Sequence, residues 1–175
     1  MDRTKVFPLL KGVLVLALIA LCSGLLLGLF NRITYVDPLQ SAYDRFAADT
    51  GKAFSKMADR EGKTYGEGSV IYYAVSDDGS TQAFLAEGQG GFKGAVQLYV
   101  YLSEGKIIKI VVGDHNETYM DKLEEANFYA NFVGKEIASL NVSSVDVVSG
   151  ASRSSGAVKN AIGAVVQYCK EITEA

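Results

Sequence analysis

The sequence predicts an α+β fold, an antiparallel sheet packed with helices, preceded by one transmembrane helix. Three observations predict it. A long run near the N-terminus lacks any charge. The middle of the chain alternates apolar and polar residues in short stretches separated by tight turns, as hairpin-linked strands do. Segments on either side of that middle carry apolar residues at helical spacing instead.

The uncharged run extends from Gly12 to Phe30, 19 residues. As a helix it is about 28 Å long, close to the hydrocarbon thickness of a bilayer. Arg3, Lys5 and Lys11 precede it; Arg32 and Asp37 follow it. The positive excess on the leading side places residues 1–11 in the cytoplasm and everything after the anchor, 12–30, outside. Two competing readings are a cleaved signal peptide and a lipoprotein with Cys22 as the lipidated residue. The run is longer than the apolar core of a signal peptide and ends without a small-residue cleavage site. Leu21 stands where a lipoprotein needs a small residue before its cysteine. All three readings put the remaining domain outside the cytoplasm, and the anchor reading holds it at the cell (inner) membrane.

Residues 31–69 read as a linker and a helix. Asp37-Pro38 is a helix start, an acid followed by proline at the first helical position. Leu39, Tyr43, Phe46, Ala47, Phe54 and Met57 recur at helical spacing, predicting a helix from about 38 to 60 that stops at Glu61-Gly62. From residue 70 to 175 the pattern is that of the outer domain. Val70–Val75 predicts a strand, Asp77–Ser80 a turn and Gln82–Ala86 the returning strand. Glu87–Gly94 holds four glycines, suited to a bulge or close backbone approach. Ala95–Leu102 is a strand with Val96, Leu98, Val100 and Leu102 on one face. Glu104-Gly105 turns it back into Ile107–Val112. Tyr119–Val133 predicts a helix stopped at Gly134, Val145–Val148 a short strand, and Ser154–Ile172 the last helix. Val158, Ala161, Ile162, Val165, Cys169 and Ile172 form that helix's expected buried stripe.

Composition removes several function classes. The net charge is −3 and no basic stripe is interleaved with aromatics, so nucleic acid is not an expected partner. One histidine and two cysteines, Cys22 and Cys169, are too few for a zinc framework.

The chemistry concentrates in Asp146-Val147-Val148-Ser149-Gly150-Ala151-Ser152-Arg153-Ser154-Ser155. Small residues lead into a helix, and a helix N-terminus offers free N–H groups and partial positive charge to an anion. Gly150 and Ala151 allow a bulky group near the backbone. Arg153 adds a full charge, and Ser152, Ser154 and Ser155 can donate to phosphate oxygens. The plain alternative is a serine N-cap. Further upstream, His115 and Glu117 alternate onto one side of an extended segment. No Gly-x-Ser-x-Gly elbow accompanies them, so a hydrolase is not expected.

The segment at Ser152 resembles the flavinylation motif of the FMN-binding domain family, Asp-x-x-Ser/Thr-Gly-Ala-Thr/Ser-x-Ser/Thr. Asp146, Ser149, Gly150, Ala151, Ser152 and Ser154 occupy it. Two further blocks resemble that family in the same order: glycine-rich Gly88–Gly94, and Gly105-Lys106-Ile107 followed by His115-Asn116-Glu117-Thr118. The resemblance covers residues from about 70 to 170. It implies FMN held by a phosphoester on Ser152 and installed by a flavin transferase. Ser149, Gly150, Ala151, Arg153, Ser154 and Ser155 would then surround the phosphate, and His115, Glu117 and Thr118 would lie toward the flavin or shape its loop. The family more often has threonine as acceptor. After Glu-Thr it usually continues Pro-Gly-Leu-Gly, where this chain has Tyr119-Met120-Asp121-Lys122. One anchor followed directly by a small FMN domain resembles the electron-carrying subunits of ion-translocating membrane oxidoreductases. Other membrane subunits and lipid are the partners this implies, with no catalytic residue of its own. The alternative is a flavin-free anchor or sensor domain.

Overall fold

The structure, a computed structural model, describes residues 3–55, 57–59 and 62–174. It divides into two compact units, Met1–Ser41 and Ala42–Ala175.

The first unit is dominated by helix α1, Arg3–Thr34. It is apolar enough and long enough to cross a membrane, and its apolar stretch is exposed. Leu16, Leu25, Leu27 and Ile33 are among the apolar side chains it leaves exposed. A helix whose charge-free run, 12–30, is exposed along its length has the length and composition to cross a bilayer. Asp37 then caps helix α2, Pro38–Thr50, accepting the Leu39 N–H at 3.0 Å.

The second unit is a six-stranded sheet, antiparallel throughout. Its strands are β1 (Met57–Asp59), β2 (Lys63–Tyr65), β3 (Gly68–Val75), β4 (Gln82–Gly88), β5 (Val96–Ser103) and β6 (Lys106–His115). The order is β1-β3-β4-β5-β6, with β2 also on β3. The alternation expected for β5 is present: Val96, Leu98, Val100 and Leu102 lie in one cluster, and Tyr99 and Tyr101 in the other. Adjacent positions of β4 divide the same way, Phe84 and Ala86 to the first cluster and Ala83 and Leu85 to the second. The sheet is therefore buried on both faces. α2 covers one through Ala42 and Phe46; burying Phe46 completely is worth about 1.5–3 kcal/mol. Helix α4, Ser152–Glu174, covers the other through Ala157, Val158, Ala161, Ile162 and Val165.

α4 lies unusually close to the sheet. A Cβ on Gly88 would come within 1.9 Å of the Ala157 carbonyl oxygen, and one on Gly68 within 2.1 Å of that of Asn160. Gly68 and Gly88 are register partners on β3 and β4, so they form one bare patch under the helix. Asn160 adds hydrogen bonds to the Gln89 carbonyl at 2.9 Å and to Glu67 at 3.0 Å. These contacts seat α4 on the sheet through Ala157 and Asn160.

Several expected boundaries are corrected. The helix expected over 38–60 ends at Thr50, because Gly51 takes φ +70 and turns the chain back. Phe54 still packs beside Phe46, in a loop, and Met57 begins β1. The expected stop at Glu61 lies outside the described residues. The helix expected over 119–133 is helix α3, Met120–Glu125, followed by a 3-10 turn, Phe128–Asn131. Asn127 at φ 50 breaks it, while Leu123, Phe128 and Phe132 reach the core from separate turns. Val145–Val148 is not a strand; it is an extended lead-in without ladder partners. The last helix begins two residues earlier and ends two later than expected, and Ile172 is exposed, not part of the buried stripe.

Candidate functional site

The predicted motif sits where the extended lead-in enters α4. Gly150 takes φ +76, a left-handed conformation that reverses the chain into the helix. Ala151 is buried, and its carbonyl accepts the Ser155 N–H at 2.9 Å as the first intrahelical bond. Ser152 opens the helix and is exposed, as is Arg153. The Ser152 hydroxyl therefore stands in solvent beside N–H groups that a helix N-terminus leaves without intrahelical acceptors.

The other two hydroxyls are spent differently from the sequence expectation. Ser155 is fully buried; it donates to the Ala151 carbonyl at 2.7 Å and accepts the Val148 N–H at 3.0 Å. It pins the lead-in to the helix. Ser154 is also buried and donates to Glu117 in a short hydrogen bond. Neither proton is free for a phosphate, so of the three serines only Ser152 presents an open hydroxyl. Ser149 and Gly150 are exposed on the turn just before it.

His115, Glu117 and Thr118 diverge. His115 is exposed at the end of β6, paired in register with Val96, and Thr118 is exposed beyond it. Glu117 is buried, 7% exposed. Its second oxygen accepts the Lys93 N–H at 2.5 Å, and the Phe92 N–H also bonds it. Burial alone would raise its pKa. The Ser154 hydroxyl, the two N–H groups and the nearby His115 outweigh that and hold the carboxyl below the usual carboxylate range. Glu117 is thus a clamp that ties the glycine-rich loop to the first turn of α4.

Three residues that the motif did not single out complete the neighbourhood. Phe92 and Tyr119 are 56% and 37% exposed, with ring centroids 6.0 Å apart. The Lys122 ammonium lies 5.0 Å from the centre of the Tyr119 ring. It also reaches the turn before Ser152, since a Cβ on Gly150 would sit 2.9 Å from Lys122 Nζ. Tyr119 and Lys122 are three apart, on one flank of α3, while Met120 and Leu123 bury the other. The available signal was their position: they stand where the chain departs from Pro-Gly-Leu-Gly.

An FMN phosphate fits this residue set. An exposed hydroxyl and a helix start stand beside the Gly150 turn that Lys122 reaches, and the exposed Arg153 follows in sequence. No curated protein and no solved structure matches the chain. Residues 91–167, from the glycine-rich loop into α4, match the family model described as FMN-binding domain.

Proposed function

We propose that this chain is a membrane-anchored electron carrier whose FMN is attached through a phosphoester to Ser152. The observation that carries the proposal is the contrast among the three serines of the helix's first turn: Ser154 and Ser155 are buried and committed, and Ser152 faces solvent. The match of residues 91–167 to the FMN-binding domain supports it. FMN supplies one- and two-electron chemistry when bound. The chain's own residues hold the phosphate end. Ser152 provides the ester oxygen, the start of α4 and Arg153 face the negative charge, and Ser155 and Glu117 keep that turn in shape. No side chain needs to act as a general base in electron passage.

Within that reading, the layout of one anchor and one small domain resembles the G subunit of the Rnf complex, which passes electrons between ferredoxin and NAD and couples this to ion pumping. The related FMN-carrying subunit of the sodium-pumping NADH:quinone oxidoreductase is the main alternative, and it is generally longer between anchor and motif. We assign the chain to the Rnf type, at the cell (inner) membrane, with its N-terminus cytoplasmic. Its partners are the other membrane subunits, a flavin transferase during maturation, and lipid.

The test is mass spectrometry of the chain co-expressed with a flavin transferase. The peptide containing Ser152 gains the mass of FMN less water, and Ser152→Ala loses it while keeping the fold. An unmodified, colourless parent chain would instead establish the flavin-free anchor or sensor.

A further inference from the structure

We propose that Phe92, Tyr119 and Lys122 form the seat for the isoalloxazine ring of a flavin tethered at Ser152, with Lys122 as the fixed positive charge of that seat. The inference rests on the proposed attachment at Ser152.

Two partly exposed aromatic rings packed on each other are unusual on a surface where most large apolar side chains of this unit are buried. Their open faces offer a flat aromatic heterocycle an offset or tilted stacking partner. Lys122 stands at the join. Its ammonium is over Tyr119 on one side and against the Gly150 backbone on the other. The seat therefore begins within two residues of the attachment oxygen.

The pieces also belong to one rigid assembly. The Phe92 and Lys93 N–H groups and the Ser154 hydroxyl are all held by the buried Glu117 carboxylate. Met120 and Leu123 anchor α3 in the same core that α4 packs on. A ring tethered at Ser152 thus meets preorganised surface. Lys122 is half-buried, so its charge is less screened than that of a free surface lysine. A cation beside a flavin favours the reduced, more negative form, which sets the direction of its effect on potential.

The experiment uses the full chain, purified in detergent after co-expression with a flavin transferase. Three readouts are taken: the mass of the Ser152 peptide, steady-state flavin fluorescence, and midpoint potential by spectroelectrochemical titration. In the parent, the aromatic seat quenches the flavin. Phe92→Leu with Tyr119→Leu keeps the added mass and raises fluorescence several-fold. Lys122→Ala keeps the mass and shifts the potential to more negative values; Lys122→Arg restores it. If both variants carry the added mass yet keep the parent's fluorescence and potential, the seat is wrong and the attachment stands. A parent chain that lacks the mass overturns the attachment reading itself. Loss of the mass in Lys122→Ala and in Lys122→Arg alike would assign Lys122 to recognition by the transferase and overturn its place in the seat.

Discussion

At the scale of single residues, Glu117 is a buried carboxylate that ties two segments of the candidate site together. It is one carboxylate serving three donors from two segments: Ser154 on α4, and the Phe92 and Lys93 N–H groups of the glycine-rich loop. Removing its charge weakens all three bonds at once. Glu117→Gln is expected to cost about 1–3 kcal/mol of stability at pH 7, the range for bonds to a charged group left poorly satisfied. The folded-state pKa is depressed, so the contribution is fully present above the unfolded carboxylate value, about 4.3. It fades as pH falls below that value and through the folded pKa. Urea unfolding at pH 7 and again near pH 3.5 checks both parts: the parent loses stability on acidification, and the variant starts lower and loses less. Equal stability of parent and variant at pH 7 would remove Glu117 from its role as a clamp.

At the scale of elements, the junction between α4 and the sheet sets where Ser152 stands. Gly88→Ala puts a methyl group 1.9 Å from the Ala157 carbonyl oxygen, a contact neither backbone can absorb in place. α4 must lift, and the expected loss is about 1–3 kcal/mol or more, as for other overpacked sites. Gly156→Ala, on the same helix, meets nothing within 4 Å. There the gain in helix propensity is expected to raise stability by about 0.5–1 kcal/mol. Thermal unfolding of the two variants should thus move in opposite directions; a shared sign would mean that α4 is not seated on Gly88.

The same elements show what was legible in the sequence. The two central hairpins, the burial of Val96, Leu98, Val100 and Leu102, and the helix start at Asp37 all follow from local pattern, and local pattern is what these features obey. The end of α2 at Thr50 was not legible, since Phe54 and Met57 prolonged the apolar spacing beyond a turn made by Gly51. The break at Asn127 was hidden for the same reason: Phe128 and Phe132 keep helical spacing although separate turns deliver them to the core. At the candidate site, the motif singled out Ser152. It could not tell an exposed hydroxyl from two buried ones, because that distinction is made by partners far away in sequence, Glu117 for Ser154 and the lead-in at Val148 for Ser155. Phe92, Tyr119 and Lys122 come together only through the tertiary fold.

At the scale of the whole molecule, the two units call for two surroundings. Residues 42–175 form a compact unit with apolar cores on both faces of their sheet. α1 is exposed from Lys11 to Thr34 and carries an apolar surface over its charge-free run. Such a helix is stable in hydrocarbon, where its backbone hydrogen bonds are all internal, and not as a free appendage in water. A chain starting at Asp37 is therefore expected to leave the membrane fraction on carbonate washing, while the full chain stays until detergent is added. Because the cores of the sheet unit lie within residues 42–175, the shortened chain should unfold at nearly the same temperature as the detergent-solubilised parent. The orientation gives a sharper outcome. Arg3, Lys5 and Lys11 all precede the charge-free run, so the expected orientation has the leading side in the cytoplasm and the sheet outside. Protease added to intact cells whose outer barrier has been opened should then digest the sheet unit of the full chain and leave an N-terminal tag intact until the membrane is lysed. Protection of the sheet with loss of the tag would invert the topology. It would also place Ser152 on the cytoplasmic side, so the same digestion fixes the compartment in which the proposed attachment would take place.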